Sequence, residues 1–181
     1  MAIKYTNPYG DSSFESFNKE NTAFVDKTEF IKIIDELDTK YPVLLRPRRF
    51  GKTTFVQMLL CFYDISFKDK YDEIFKGTKI LEMNLPSHNS YHVIKFDFSG
   101  ISGTNVESLI TNFNQKVSVG INDFLIRYPD FEFSNDYTGR DPANFIDEFF
   151  KTFARYSKSK SLYILIDEYD NFANDVLSND R

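Results

Sequence analysis

Gly51, Lys52 and Thr53 stand together where a short apolar run, Pro42 to Leu45, gives way to a basic loop and then to a second apolar stretch. Gly51 has no Cβ, so its backbone turns sharply and comes close to an anion. A helix that starts there points its unpaired N–H groups and the positive end of its dipole back at the loop. Lys52 then reaches the outer phosphates of a nucleotide as a point charge, and Thr53 offers a hydroxyl to Mg2+. The usual pattern for such a phosphate loop is G-x-x-x-x-G-K-[ST], and Arg46 occupies the place of its first Gly. Arg48 and Arg49 carry guanidinium groups suited to paired contact with phosphate oxygens, or they stand as solvated charge. Phe50 and Thr54 complete a nucleotide-binding set of Arg48, Arg49, Phe50, Gly51, Lys52, Thr53 and Thr54.

A second group lies far along the chain. Leu162 to Ile166 is an apolar run that ends in Asp167 and Glu168. It reads as a buried parallel strand with acids at its C-terminal end, where open α/β sheets place ligands. In phosphoryl transfer such an Asp holds Mg2+ through water, and a following carboxylate orients or deprotonates the attacking water. The expected catalytic residues are Lys52 and Glu168, with Thr53 and Asp167 as metal ligands. Asp170 is a lesser candidate that positions its neighbours.

These motifs resemble a known family. Phe24 to Thr28 (FVDKT), Arg46 to Thr54 (RPRRFGKTT), Phe96 to Ser99 (FDFS) and Leu165 to Asp170 (LIDEYD) look like the AAA-ATPase-like family of P-loop proteins. That family shows VDKT, then RPRRFGKS or RPRRFGKT, then IDEYD. The resemblance covers about residues 8 to 176, and it makes Arg46 in place of Gly a family habit. It implies an α/β fold, a P-loop NTPase three-layer sandwich with a mostly parallel sheet. It also implies ATP and Mg2+ as ligands, with Asp26 and Lys27 near the nucleotide. Relatives often continue into a further ATPase half and a C-terminal nuclease-like domain. The expectation is therefore a fold incomplete at its C-terminus, with a homo-oligomer or a missing C-terminal region as partner. A role on nucleic acid follows only from the nuclease association, and its local support is the Arg46, Arg48, Arg49 cluster.

The totals bound the rest. A chain of 181 residues suits one domain, here an N-terminal arm over 1–23 and a P-loop domain over 24–181. A net charge of −5 argues against a surface that coats nucleic acid. One cysteine excludes an internal disulfide and fits a reducing compartment. No stretch approaches the roughly 20 apolar residues of a membrane helix. The expected location is the cytoplasm, with no membrane contact. The expected function is Mg-dependent ATP binding with slow hydrolysis. The alternative is a nucleotide-binding switch or interaction module that does not hydrolyse.

The elements that position these residues follow from periodicity. Asp26, with Glu29 three residues on, predicts a capped helix of about three turns carrying Phe30, Ile31, Ile33, Ile34 and Leu37. Val43 to Arg46 reads as the first core strand, ended by Pro47. Phe55 to Tyr63 is apolar nearly all round and predicts a buried helix, with Cys61 a core thiol. A short helix is expected over Lys70 to Phe75. His92 to Ser99 alternates as a strand. Asp97 and Ser99 share one face near its end, facing the magnesium region or capping the next loop. Thr104 and Glu107 form a capping box before a long stripe from Val106 to Leu125. Asp141-Pro142 opens a helix with Phe145, Ile146, Phe149, Phe150 and Phe153 on its buried face. The sheet is then a three-strand core over 43–46, 92–98 and 162–167.

Overall fold

The computed structural model describes residues 14–17, 25–45, 50–101, 105–157 and 161–170. The chain divides into two units, Met1–Tyr91 and His92–Arg181. No helix among the described residues is long and apolar enough to cross a membrane.

The first unit is built on α3 (Lys52–Tyr63). Its sequence is apolar on most sides, and the helix buries Phe55, Met58 and every residue from Leu59 to Tyr63, Cys61 included. Phe62 meets Tyr63 and Phe75 edge-on, at 4.9 and 6.1 Å between ring centres. Phe75 in turn packs on Phe14 of α1 (Phe14–Phe17) at 5.3 Å. Edge-to-face pairs of this kind suit the ring quadrupole. After α3 come a 3-10 turn (Ile65–Lys70), α4 (Tyr71–Ile74) and α5 (Lys79–Met83). The C-terminal end of α3 is closed by Asn89, a buried residue in the left-handed region at φ 47°. Its backbone N–H donates to the Phe62 carbonyl at 2.7 Å. Its side-chain amide donates to the carbonyls of Cys61 and Asp64 at 3.2 and 2.7 Å. The carbonyls that a helix end leaves over are thus satisfied from outside the helix.

Two expectations fail in this unit. Val43 to Leu45 form no strand, and Val43 and Leu45 are 66% and 77% exposed. A strand exists only where its N–H and C=O groups find a ladder, and no ladder among the described residues reaches this run. Arg46 and Pro47 lie outside the described residues. The helix α2 (Glu29–Asp35) has seven residues, shorter than three turns. It buries only Ile31, while Phe30, Ile33 and Leu37 are exposed.

The second unit holds a parallel pair, β1 (His92–Asp97) and β2 (Leu162–Asp167), in register from His92 opposite Leu162 to Asp97 opposite Asp167. Between them run α6 (Val106–Arg127) and α7 (Pro142–Tyr156). The α6 cap is one residue later than the sequence suggests. Asn105 and Ser108 bond reciprocally as a capping box, while Thr104 lies outside the described residues. Asp141 caps α7 as expected, accepting from the Asn144 N–H at 3.0 Å with Pro142 in the first turn. Phe145, Phe149 and Phe153 are buried at spacings of four. Phe124 of α6 meets Phe149 and Phe153 of α7 edge-on, at 5.3 and 5.9 Å. The His92 ring of β1 sits against Tyr128 and Phe153 at 4.7 and 5.3 Å. This aromatic layer covers one face of β1. On β2 only Leu165 and Asp167 are buried, while Ile164 and Ile166 are 43% and 49% exposed. The expected fully buried strand is therefore half-covered, and among the described residues the sheet has two strands where three were expected.

Gly120 sets how closely α6 lies on β1. A Cβ there would stand 2.6 Å from the Lys95 carbonyl oxygen and 2.7 Å from the Phe96 ring. Backbone cannot retreat as a flexible side-chain end can. Gly120→Ala should therefore destabilise the chain by about 1–3 kcal/mol through overpacking, although Ala is the better helix former. Urea unfolding should show a lower midpoint for the variant.

Candidate phosphate loop and acidic strand end

Gly51 adopts the left-handed conformation, φ 75° and ψ 31°, at the N-cap of α3. Its carbonyl accepts the first helical bond, from the Phe55 N–H at 3.0 Å. A glycine cap offers no side-chain acceptor, and no side-chain cap bond is present at this helix start. Lys52 opens the helix, and Lys52, Thr53 and Thr54 are all half-buried. Phe50 is 59% exposed. Arg48 and Arg49 lie outside the described residues.

The segment before α2 is fastened to two places in the same unit. The Asp26 Oδ1 accepts from the Thr28 N–H at 2.9 Å and from the Thr28 hydroxyl at 2.7 Å. Its Oδ2 accepts from the Lys79 N–H at 3.0 Å. The Thr28 hydroxyl, fully buried, accepts from the Ile80 N–H at 3.2 Å. The first turn of α5 is therefore capped by residues some fifty positions earlier in the chain, at separations of 53 and 52. This corrects the expected capping box. The α2 N-cap is Thr28 and carries no side-chain cap bond, and Glu29 pairs with Lys79 at 2.7 Å. Asp26 bridges the two helix starts instead: its Oδ1 is taken by Thr28 and its Oδ2 by the first turn of α5. Burial acts to raise the Asp26 pKa. The hydrogen bonds from Thr28 and Lys79 outweigh it and hold the carboxyl below its ordinary 3.8. The second fastening is Lys27, whose Nζ donates to the Phe50 carbonyl at 3.2 Å.

In the other unit, the ladder register sets Asp97 directly opposite Asp167. Directly opposed residues point to the same face of a parallel pair. Asp167 is 4% exposed. Its carbonyl accepts from the Phe98 N–H at 3.1 Å, and its Oδ1 accepts from the Glu168 N–H at 3.0 Å. Glu168 is half-buried and sits at φ 53°, a left-handed conformation uncommon for a residue with a Cβ. The sequence holds no glycine there to announce it. Asp97 caps the following loop, accepting from the Ser99 N–H at 2.9 Å. Burial opposes its ionisation, yet the bonds from Ser99 and the charges of Lys95 and Lys116 bring its pKa below 3.8. Asp170 is half-buried. Among the described residues no group of three or more His, Cys, Asp or Glu side chains is placed to hold a metal ion.

A family model described as predicted AAA-ATPase matches residues 8–181. No curated protein and no solved structure matches the chain.

The Asp26 clasp has a pH signature. A carboxylate with a depressed folded pKa stabilises the fold above its unfolded value, and that contribution is lost as pH falls through the folded value. Asp26→Asn should cost about 1 kcal/mol at neutral pH, the scale of a partly exposed hydrogen bond to a charged acceptor. The gap between the wild-type and variant urea midpoints should stay constant above pH 5 or so and close as the pH drops below 3.8.

Proposed function

The chain belongs to the predicted AAA-ATPase family, which implies nucleotide binding, and on that premise we propose that it binds ATP with Mg2+ and hydrolyses it slowly. The observation that carries this reading is the start of α3. A left-handed glycine without a capping side chain is followed at once by Lys52 and Thr53. First-turn amides, a helix dipole and an ammonium group then favour the same anion.

The roles follow from the chemistry of each group. Phe50, Gly51 and Thr54 line the loop, Lys52 neutralises the outer phosphates, and Glu168 orients the attacking water. Thr53 and Asp167 would hold the metal. Mg2+ in phosphoryl-transfer sites takes one or two protein oxygens and keeps phosphate and water for the rest. A hydroxyl and a carboxylate are oxygen donors of the type that ion takes. When bound, the ion neutralises charge that develops on the phosphates. Glu168 follows the end of β2 with a left-handed backbone. Turnover is expected to be slow because no arginine finger is assigned, a group worth about 10³ to 10⁵ in rate.

Calorimetric titration of Mg-ATP tests the loop. Lys52→Ala should abolish measurable binding. Glu168→Gln should keep binding and lower turnover by about 10²-fold or more, the scale of a lost general base. Binding without turnover above a protein-free blank would favour the non-hydrolysing switch. Unchanged turnover in Glu168→Gln would remove that residue from the chemistry.

A further inference from the structure

Lys27 has no part in the roles above, yet its ammonium lies on the phosphate loop. It donates to the Phe50 carbonyl across 23 positions of sequence. A Cβ built on Gly51 would stand 3.6 Å from the same nitrogen. The ammonium therefore lies at ordinary contact distance on the side of Gly51 to which a side chain would project.

The stem of Lys27 starts from a fixed point. Its neighbours Asp26 and Thr28 are tied to the first turn of α5. Its own carbonyl accepts from the Phe30 N–H at 3.1 Å. Among the described residues no carboxylate forms an ion pair with it, so its charge is offset there only by a carbonyl dipole. A lysine ammonium has three donors, and Phe50 takes one of them.

We infer that Lys27 is a positioning residue for the phosphate loop: its ammonium holds the Phe50–Gly51 peptide in the left-handed turn that starts α3. The inference rests on the nucleotide-binding reading and adds to it a residue outside the G-K-T motif. The left-handed turn has no capping side chain to stabilise it. A charged donor on the preceding carbonyl supplies that restraint from elsewhere in the chain. It also brings a positive charge to the peptide that precedes Lys52.

The test uses the full chain with Lys27→Met and Lys27→Arg. The first readout needs no nucleotide: the Phe50 carbonyl carbon and Gly51 amide resonances. The second is Mg-ATP affinity by calorimetry. Lys27→Met should move both resonances and weaken Mg-ATP by about tenfold, the scale of one hydrogen bond to a charged group. Lys27→Arg, which keeps charge and donor, should recover affinity to within about threefold of wild type. The melting temperature should change by no more than about 2 °C, as for a surface substitution. Unmoved resonances in Lys27→Met overturn the inference, and so does unchanged affinity. If the intact chain binds no Mg-ATP, the nucleotide reading fails on its own, and the resonances alone decide whether Lys27 holds the loop.

Discussion

Two parallel strands cannot be joined by a tight turn. That constraint organises the second unit. The connection from β1 to β2 must leave the sheet, cover it and return, and α6 and α7 do this. Their facing phenylalanines exist because a strand pair alone cannot bury enough apolar surface to hold together. Phe124, Phe149 and Phe153 supply the missing area, each worth roughly 1.5–3 kcal/mol when fully buried. Gly120 lets the backbones approach until Phe96 is covered. The register that results places Asp97 opposite Asp167. The acids stand at the strand ends as a consequence of pairing and cover, before any chemistry is asked of them.

The first unit solves a different problem with the same currency of backbone satisfaction. Its central helix begins on a residue with no capping side chain and ends on carbonyls that need donors. The α5 start borrows its caps from Asp26 and Thr28. Much of this unit is thus held by bonds between segments distant in sequence, where the second unit relies on periodic apolar faces.

That difference explains what was legible in the sequence. The helices α3, α6 and α7 and the strands β1 and β2 announce themselves by local periodicity, by Asp141-Pro142 and by the glycine at the loop. The positions of Lys52, Thr53, Asp167 and Glu168 on their elements follow from the same patterns. The Asp26 clasp was hidden because its partners lie some fifty residues away, and the nearer Glu29 imitates a capping box. Val43 to Leu45 looked like a strand because apolar composition is a local property, whereas a ladder is not. Asn105 displaced Thr104 at the α6 cap because both residue types cap well and only geometry selects between them. The left-handed backbone of Glu168 had no signal, since the usual marker of that conformation is glycine or asparagine.

Asn89 has a mechanical consequence. It clamps α3 at the end remote from the loop, through one backbone and two side-chain bonds to Phe62, Cys61 and Asp64. Those bonds oppose sliding of the helix along its axis, so a displacement at its start falls on the loop. The anchor also discriminates between near-isosteres. Aspartate would put an acceptor in place of the amide donor facing two carbonyl oxygens, so a change of one atom type at residue 89 would loosen the helix at the end remote from the loop.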